Sequence, residues 1–257
     1  MRVASLPRLA TALLLFALHA SSPAWAGDLQ AAPILPEFGN GQHSQSLWLT
    51  NTGQQPLRAQ VRVQQWTQAD AQELLHPSDL LLASPPLVDI APGQRQLVRV
   101  VQADPAAHTT EAAFRLIVDE LPGSADTPTS GLQFLLRYSI PVFVLPVGMV
   151  PQLERTSAPV PTDVTLLQGS WQQRADRFEL TLHNHGVQRI RISQLYWVTP
   201  SGQRIELSAG LLGYVLAGQQ MRFNLSLSAP LPTTGTLHAR LNDDVHSQPL
   251  PQINRQP

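Results

Sequence analysis

The 257-residue sequence contains no cysteine, so disulfides and cysteine-ligated metals contribute nothing to its stability, and thiol chemistry is excluded. It contains no lysine either: all 17 basic residues are arginine. A site that holds an anion must therefore use guanidinium groups, whose planar fork suits a carboxylate. Charge is sparse at 14% of residues and nearly balanced at a formal −1, which leaves no basic footprint for nucleic acid. Long apolar runs are missing as well. The longest near the start, LATALLLFALHA, is about a dozen residues and too short for a membrane-spanning helix. It follows Arg2 and Arg8 and precedes Ala-Trp-Ala at 24–26, the pattern of an export signal with its cleavage site. Residues 1–26 are accordingly read as a signal peptide, and the mature chain as an exported protein.

Motifs for catalysis are also absent. There is no GxSxG elbow and no glycine loop of the phosphate-cradling kind. The acidic pairs Asp119-Glu120 and Asp243-Asp244 are adjacent, so in a strand the two carboxylates of each pair point to opposite faces. His183-Asn184-His185 offers two imidazoles without a third ligand at a useful spacing, and Asn184-His185-Gly186 reads as a turn. The expectation is a protein with no catalytic residues, no cofactor, no metal and no small-molecule substrate.

What is present is proline and β-alternation. Prolines number 23 against 15 glycines, and they punctuate short runs rich in β-forming residues, which favours an all-β fold. In LRAQVRVQQW, Ala59, Val61 and Val63 share one face while Arg58, Gln60, Arg62 and Gln64 share the other, as in a half-buried antiparallel strand. Pro85 and Pro86 cannot sit in a central strand, and Pro92-Gly93 marks a turn before LVRV. With AFRLIVDELP and LQFLLRYSIPVF read as a closing hairpin, about seven strands fall in ~115 residues, the spacing of an immunoglobulin-like β-sandwich. A second set of strand-like runs, from DVTLLQGSW to TLHARLND, forms a second sandwich. The expected domains are 27–147 and 148–250, with 251–257 as a loosely held tail. Trp48, Trp66, Trp171 and Trp197 fall in four different strands, which fits core packing better than an aromatic platform for sugars.

The most informative segment is LQFLLRY, residues 132–138. Period-two geometry places Leu132, Phe134, Leu136 and Tyr138 on one side of a strand. An edge strand with an apolar face is an aggregation hazard unless a partner uses it. Four such side chains could supply about 6–12 kcal/mol of apolar burial before ordering costs.

The ordered motifs LWLTNTG, SPP at 84–86, the PG turn before LVRV, EAAFRLIVDELP and LQFLLRYSIPVFVLP together resemble the PapD-like periplasmic chaperones of chaperone-usher pili. The strings DELP, GLQFLLRYS and GLLGYVLAGQQ are most similar to the archaic branch. The resemblance implies two immunoglobulin-like domains set as a boomerang, without enzymatic turnover. It implies that pilus subunits are the partners, that Leu132, Phe134, Leu136 and Tyr138 on the strand 131–144 complete a subunit's strand-deficient sandwich, and that an outer-membrane usher receives the complex. The runner-up reading is a structural pilus subunit or adhesin of tandem immunoglobulin-like domains.

Two departures from the family pattern stand out. The better-known branches hold the subunit's C-terminal carboxylate with an arginine in the first strand and a lysine late in the donor strand; here those positions are Leu35 and Pro141. Arg115 and Arg137 are the nearest replacements, and hairpin geometry sets Arg115 near the interdomain cleft. The family also joins its domains with an arginine and two carboxylates. Glu111 and Asp243 match the carboxylates, but Leu145 stands at the arginine position.

Overall fold

The computed structural model describes residues 28–104, 108–122, 134–157 and 161–255. Two β-sandwiches account for nearly all of its regular structure. The first contains β1 (Leu29–Ala32), β2 (Glu37–Phe38), β3 (Ser44–Asn51), β4 (Leu57–Ala69) and β5 (Gln72–Pro77). It continues with β6 (Leu81–Ser84), β7 (Leu87–Ile90), β8 (Arg95–Gln102), β9 (Ala112–Leu121) and β10 (Arg137–Val144). One sheet has the order β1-β3-β8-β6; the other runs β2-β10-β9-β4-β5, with β7 also paired to β4.

The first sandwich has ten strands against the seven expected from sequence: β5, a hairpin partner of β4, is one addition, and proline explains the other two. The edge strands are each broken in two, because proline cannot donate to a ladder. Between β1 and β2 the chain passes Pro33 and Pro36 and crosses from one sheet to the other. Between β6 and β7 it passes Pro85 and Pro86 and does the same. Elsewhere the alternation read from sequence holds: Ala59, Val61, Leu116, Val118, Ile140 and Val142 face the sandwich core, against Leu47, Leu49, Val98 and Val100 of the opposite sheet.

The second sandwich contains β11 (Leu167–Arg174), β12 (Arg177–Asn184), β13 (Ile190–Val198), β14 (Arg204–Val215), β15 (Gln220–Ser226), β16 (Thr236–Leu241), β17 (Gln248–Pro249) and β18 (Ile253–Arg255). Its sheets have the orders β15-β12-β11-β18 and β14-β13-β16-β17. Trp171 anchors the core, stacked on Phe178 at 5.4 Å and edge-on to Trp197 at 5.0 Å.

Three expectations need correction. The C-terminal segment, read as a loose tail, adds β18 in parallel beside β11, and Ile253 is buried; its alternation was too short to register as a strand. GLLGYVLAGQQ, read as a loop entering a strand, is mostly the second half of β14, whose glycines sit at register shifts against β13. The tryptophans do not all fill sandwich cores: Trp66 is buried at the domain junction, and Trp48 lies on an outer face under the Arg95 guanidinium, 4.4 Å from its ring. No helix among the described residues is long and apolar enough to cross a membrane.

Candidate functional site

β10 is held on one side by β9 along its whole length, from Arg137 opposite Asp119 to Val144 opposite Ala112. On its other side, among the described residues, it has β2, which pairs with Phe143 and Val144. From Ile140 back toward Leu136, no described strand pairs with that edge. An edge of this kind presents unpaired N–H and C=O groups to any extended chain that can reach it.

The side chains along the edge grade from core to solvent. Ile140, Val142 and Val144 are buried in the first sandwich. On the same face Leu136 and Tyr138 pack at the rim of that core, and the Tyr138 hydroxyl donates to the Leu29 carbonyl. Phe134, next along the stripe, is 76% exposed. Leu132 lies outside the described residues. The Leu136 carbonyl accepts from the Glu120 N–H at 2.9 Å, so the hairpin ladder persists one residue before β10 formally starts.

Arg115 and Arg137 do not converge. Arg137 is paired with Asp119 at the far end of the hairpin and is largely exposed. Arg115 stands opposite Pro141, four positions closer to the junction, or about 13 Å at strand rise. Its guanidinium lies 3.7 Å over the Trp66 ring and 3.5 Å from Glu73, with 14% of the side chain exposed. Burial lowers the Arg115 pKa and Glu73 pulls it the other way, but an arginine stays charged. The result is a cation held flat by an indole, with a long ion pair that leaves donor capacity unspent.

Asp119 accepts from both Arg62, at 2.5 Å, and Arg137. Burial alone would raise its carboxyl; the two guanidinium groups hold it below the ordinary range. A depressed carboxyl stabilises the fold above its unfolded pKa, and that contribution is lost as pH falls through the folded one. Asp119→Asn is therefore expected to flatten the acid limb of the stability profile, followed by urea titration between pH 5 and pH 3, without changing stability far more acid than that. An unchanged acid slope would rule out this role.

The two sandwiches are joined by a buried ion cluster. Arg189, at the start of the second sandwich's β13, donates through Nη1 to Glu111 Oε2 at 2.6 Å and through its backbone N–H to Glu111 Oε1 at 3.0 Å. Its Nη2 reaches Glu37 in β2, and its guanidinium lies 3.7 Å over the Phe143 ring of β10. Burial pushes the Glu111 carboxyl up, while Arg189 draws it down; the paired, charged state is the one the geometry supports. Beside it Trp66, Phe143 and Tyr214 form an aromatic cluster, with Tyr214 edge-on to Trp66 at 5.5 Å and 5.9 Å from Phe143. Leu145 is buried in the same cluster. Gln68 spans the junction: its Nε2 donates to the Tyr214 carbonyl at 2.8 Å, and its Oε1 accepts from the Leu216 N–H at 2.9 Å.

Glu111 thus lies in the junction, whereas Asp243 does not meet the same arginine. It pairs with Arg191 at 2.7 Å within the second sandwich. Both residues line a cavity of about 450 Å³ beside the linker residues Met149 and Val150. Sequence reasoning missed Arg189, Glu37, Trp66 and Tyr214. Arg189 and Arg191 flank Ile190 in one alternating run, so their shared polar face was legible, but not which of them meets the other domain. His183 and Asn184 end β12, one residue later than a turn starting at Asn184 allows, and the His183 and His185 rings lie 4.0 Å apart.

Residues 34–150 match the family model for the pili and flagellar-assembly chaperone, PapD N-terminal domain. The match covers most of the first sandwich and none of the second. A search of curated proteins found no match. Among solved structures, the chain resembles one from the CsuC–CsuE chaperone–tip adhesion subunit pre-assembly complex of the archaic chaperone-usher Csu pili of Acinetobacter baumannii. The identity is 24%, the TM-score 0.66, and the match covers 90% of this chain and 100% of that one. It also resembles the Salmonella enterica structure of SafA pilin with the SafB chaperone, at 17% identity, TM-score 0.57, and 88% and 97% coverage. A third likeness is to the Escherichia coli chaperone DraB, at 19% identity, TM-score 0.52, and 82% and 87% coverage. The two-sandwich fold of these structures therefore extends over the second domain.

Proposed function

We propose that this protein is a periplasmic chaperone that captures pilus subunits by lending them the free edge of β10, and that it carries out no chemistry of its own. The observation that carries this reading is the unpaired edge beside an apolar stripe that ends in exposed Phe134. Main-chain hydrogen bonds along the edge supply affinity for a sandwich that lacks a strand, and Phe134, Leu136 and Tyr138, with Leu132 before them, supply the register. Structures of related fold carry the names of complexes with a tip adhesion subunit and with a pilin. Delivery to an outer-membrane usher, export by residues 1–26 and a domain boundary near Val147 belong to the same proposal. The alternative of a structural pilin or adhesin is not favoured, because β10 is already in place in the first sandwich.

Arg115 is the better candidate for the subunit's C-terminal carboxylate: it sits at the junction end of the edge, and its ion pair with Glu73 is long at 3.5 Å. Arg137 is committed to Asp119. Arg115→Ala is expected to weaken binding of a subunit with a free C-terminus by roughly 1.5–3 kcal/mol, the scale of a hydrogen bond to a charged group. The same change should leave binding of a C-terminally amidated subunit nearly unaltered in calorimetric titration. Equal losses for both subunits, or no loss for either, would reject the anchor. Binding of the subunit itself tests the function as a whole: absence of a 1:1 complex with strand-deficient pilus subunits would overturn it.

A further inference from the structure

The free edge of β10 has a fixed end, and that end is held from the second domain. β2 is only two residues long, yet it occupies the edge at Phe143 and Val144, where the Phe143 N–H donates to the Pro36 carbonyl at 3.1 Å and the Leu145 N–H to the Phe38 carbonyl at 2.9 Å. A two-residue strand has little pairing energy of its own. Glu37, between those two carbonyls, is buried and is gripped by Arg189 of the second sandwich and by the Gln152 N–H of the linker. Arg189 also covers the face of Phe143, and Tyr214 closes the other side of the same cluster.

We infer that Arg189 and Tyr214 are positioning residues for subunit capture: by clamping β2 and the junction end of β10, the second domain sets where the free edge stops and hence the register of the incoming strand. This rests on the function proposed above. A strand sliding along β10 meets β2 at Phe143 and can go no further. Without the clamp β2 frays, the edge lengthens by two residues, and a slip of two keeps every side chain on its original face, so nothing in the alternation opposes it. Fixing the stop also removes an ordering cost from binding. This accounts for a second domain that contributes no strand to the edge.

Amide hydrogen exchange of the free protein tests the clamp without any subunit. Tyr214→Ala and Arg189→Lys are expected to speed exchange at the Phe143 and Leu145 amides while leaving β3 and β8 of the opposite sheet protected. Tyr214→Phe, which keeps the ring, is expected to retain wild-type protection. Arg189→Lys keeps the charge that Glu37 and Glu111 require, so the fold survives even if Tyr214→Ala does not. The same two variants are expected to bind a strand-deficient subunit about tenfold more weakly, equivalent to ~1.4 kcal/mol, with Tyr214→Phe unchanged. Unaltered exchange at Phe143 and Leu145, or faster exchange with unaltered affinity, would overturn the inference. Failure of the wild type to bind any subunit would sink the proposed function, and the exchange result would still decide whether the second domain holds β2.

Discussion

Replacing Phe134 with aspartate is expected to cost the protein its subunit and leave its fold intact. Phe134 is 76% exposed, so the free protein gives up little packing. In a complex the ring would enter an apolar groove, a burial worth roughly 1.5–3 kcal/mol, and the substitution would replace it with a charge whose desolvation costs several kcal/mol more. A loss of at least about a hundredfold in affinity follows, since ~2.7 kcal/mol is two decades. Surface plasmon resonance with an immobilised strand-deficient subunit would measure it, and the unfolding midpoint in urea would confirm the fold. Leu136→Asp is a harsher change but a less clean one, because Leu136 also packs at the rim of the first core and part of its effect would be on stability. Retained affinity in Phe134→Asp would remove Phe134 from the binding face.

The second large effect is on stability. Arg189→Met strips the shared cation from two buried carboxylates, Glu37 and Glu111. Breaking a buried ion cluster by removing one partner costs about 3–5 kcal/mol, because the charges left behind are uncompensated. In the variant Glu111 keeps the burial that pushes its carboxyl up and loses the Arg189 charge that draws it down, so its folded pKa stands further above the unfolded one. Such groups bind more protons when folded, and stability is then lost as pH rises through the raised folded pKa. The deficit is expected to be greatest at neutral pH and to shrink toward pH 4. Adding Glu37→Gln and Glu111→Gln to Arg189→Met removes the stranded charges and should restore most of the loss. Urea melts of the three proteins at pH 7 and pH 4.5 would show this; a deficit independent of pH, or no rescue, would contradict the ion-cluster account.

The sandwiches were legible in the sequence because each strand buries one face and solvates the other, so alternation in LRAQVRVQQW or TLHARLND reports directly on the core. The edge was legible for the opposite reason: the alternation that buries Ile140 and Val142 continues past the core to Phe134, which stands exposed among the described residues. The junction was not legible. Its parts come from β2, β4, β10 and β14 and from the residues just before β9 and β13, each from a face that local pattern labels merely polar or merely apolar. Leu145 stood where the family places an arginine, and the cation is supplied instead by Arg189 from across the interface. Such an exchange between partners leaves no local trace, since the ion cluster needs only one guanidinium near two carboxylates, whichever domain provides it. β18 escaped for a simpler reason, because three residues after two prolines carry no period.

The most direct measurement is size-exclusion chromatography of the purified protein mixed with a pilus subunit that lacks its own completing strand, with hydrogen exchange read on the eluted peak. The account requires a 1:1 complex in which the Arg137 and Ser139 amides, which face the free edge as the Phe143 and Leu145 amides do, become protected, and it requires that Phe134→Asp abolish both the peak and the protection. Separate elution of the two proteins, or a complex that forms without protecting those amides, would contradict it.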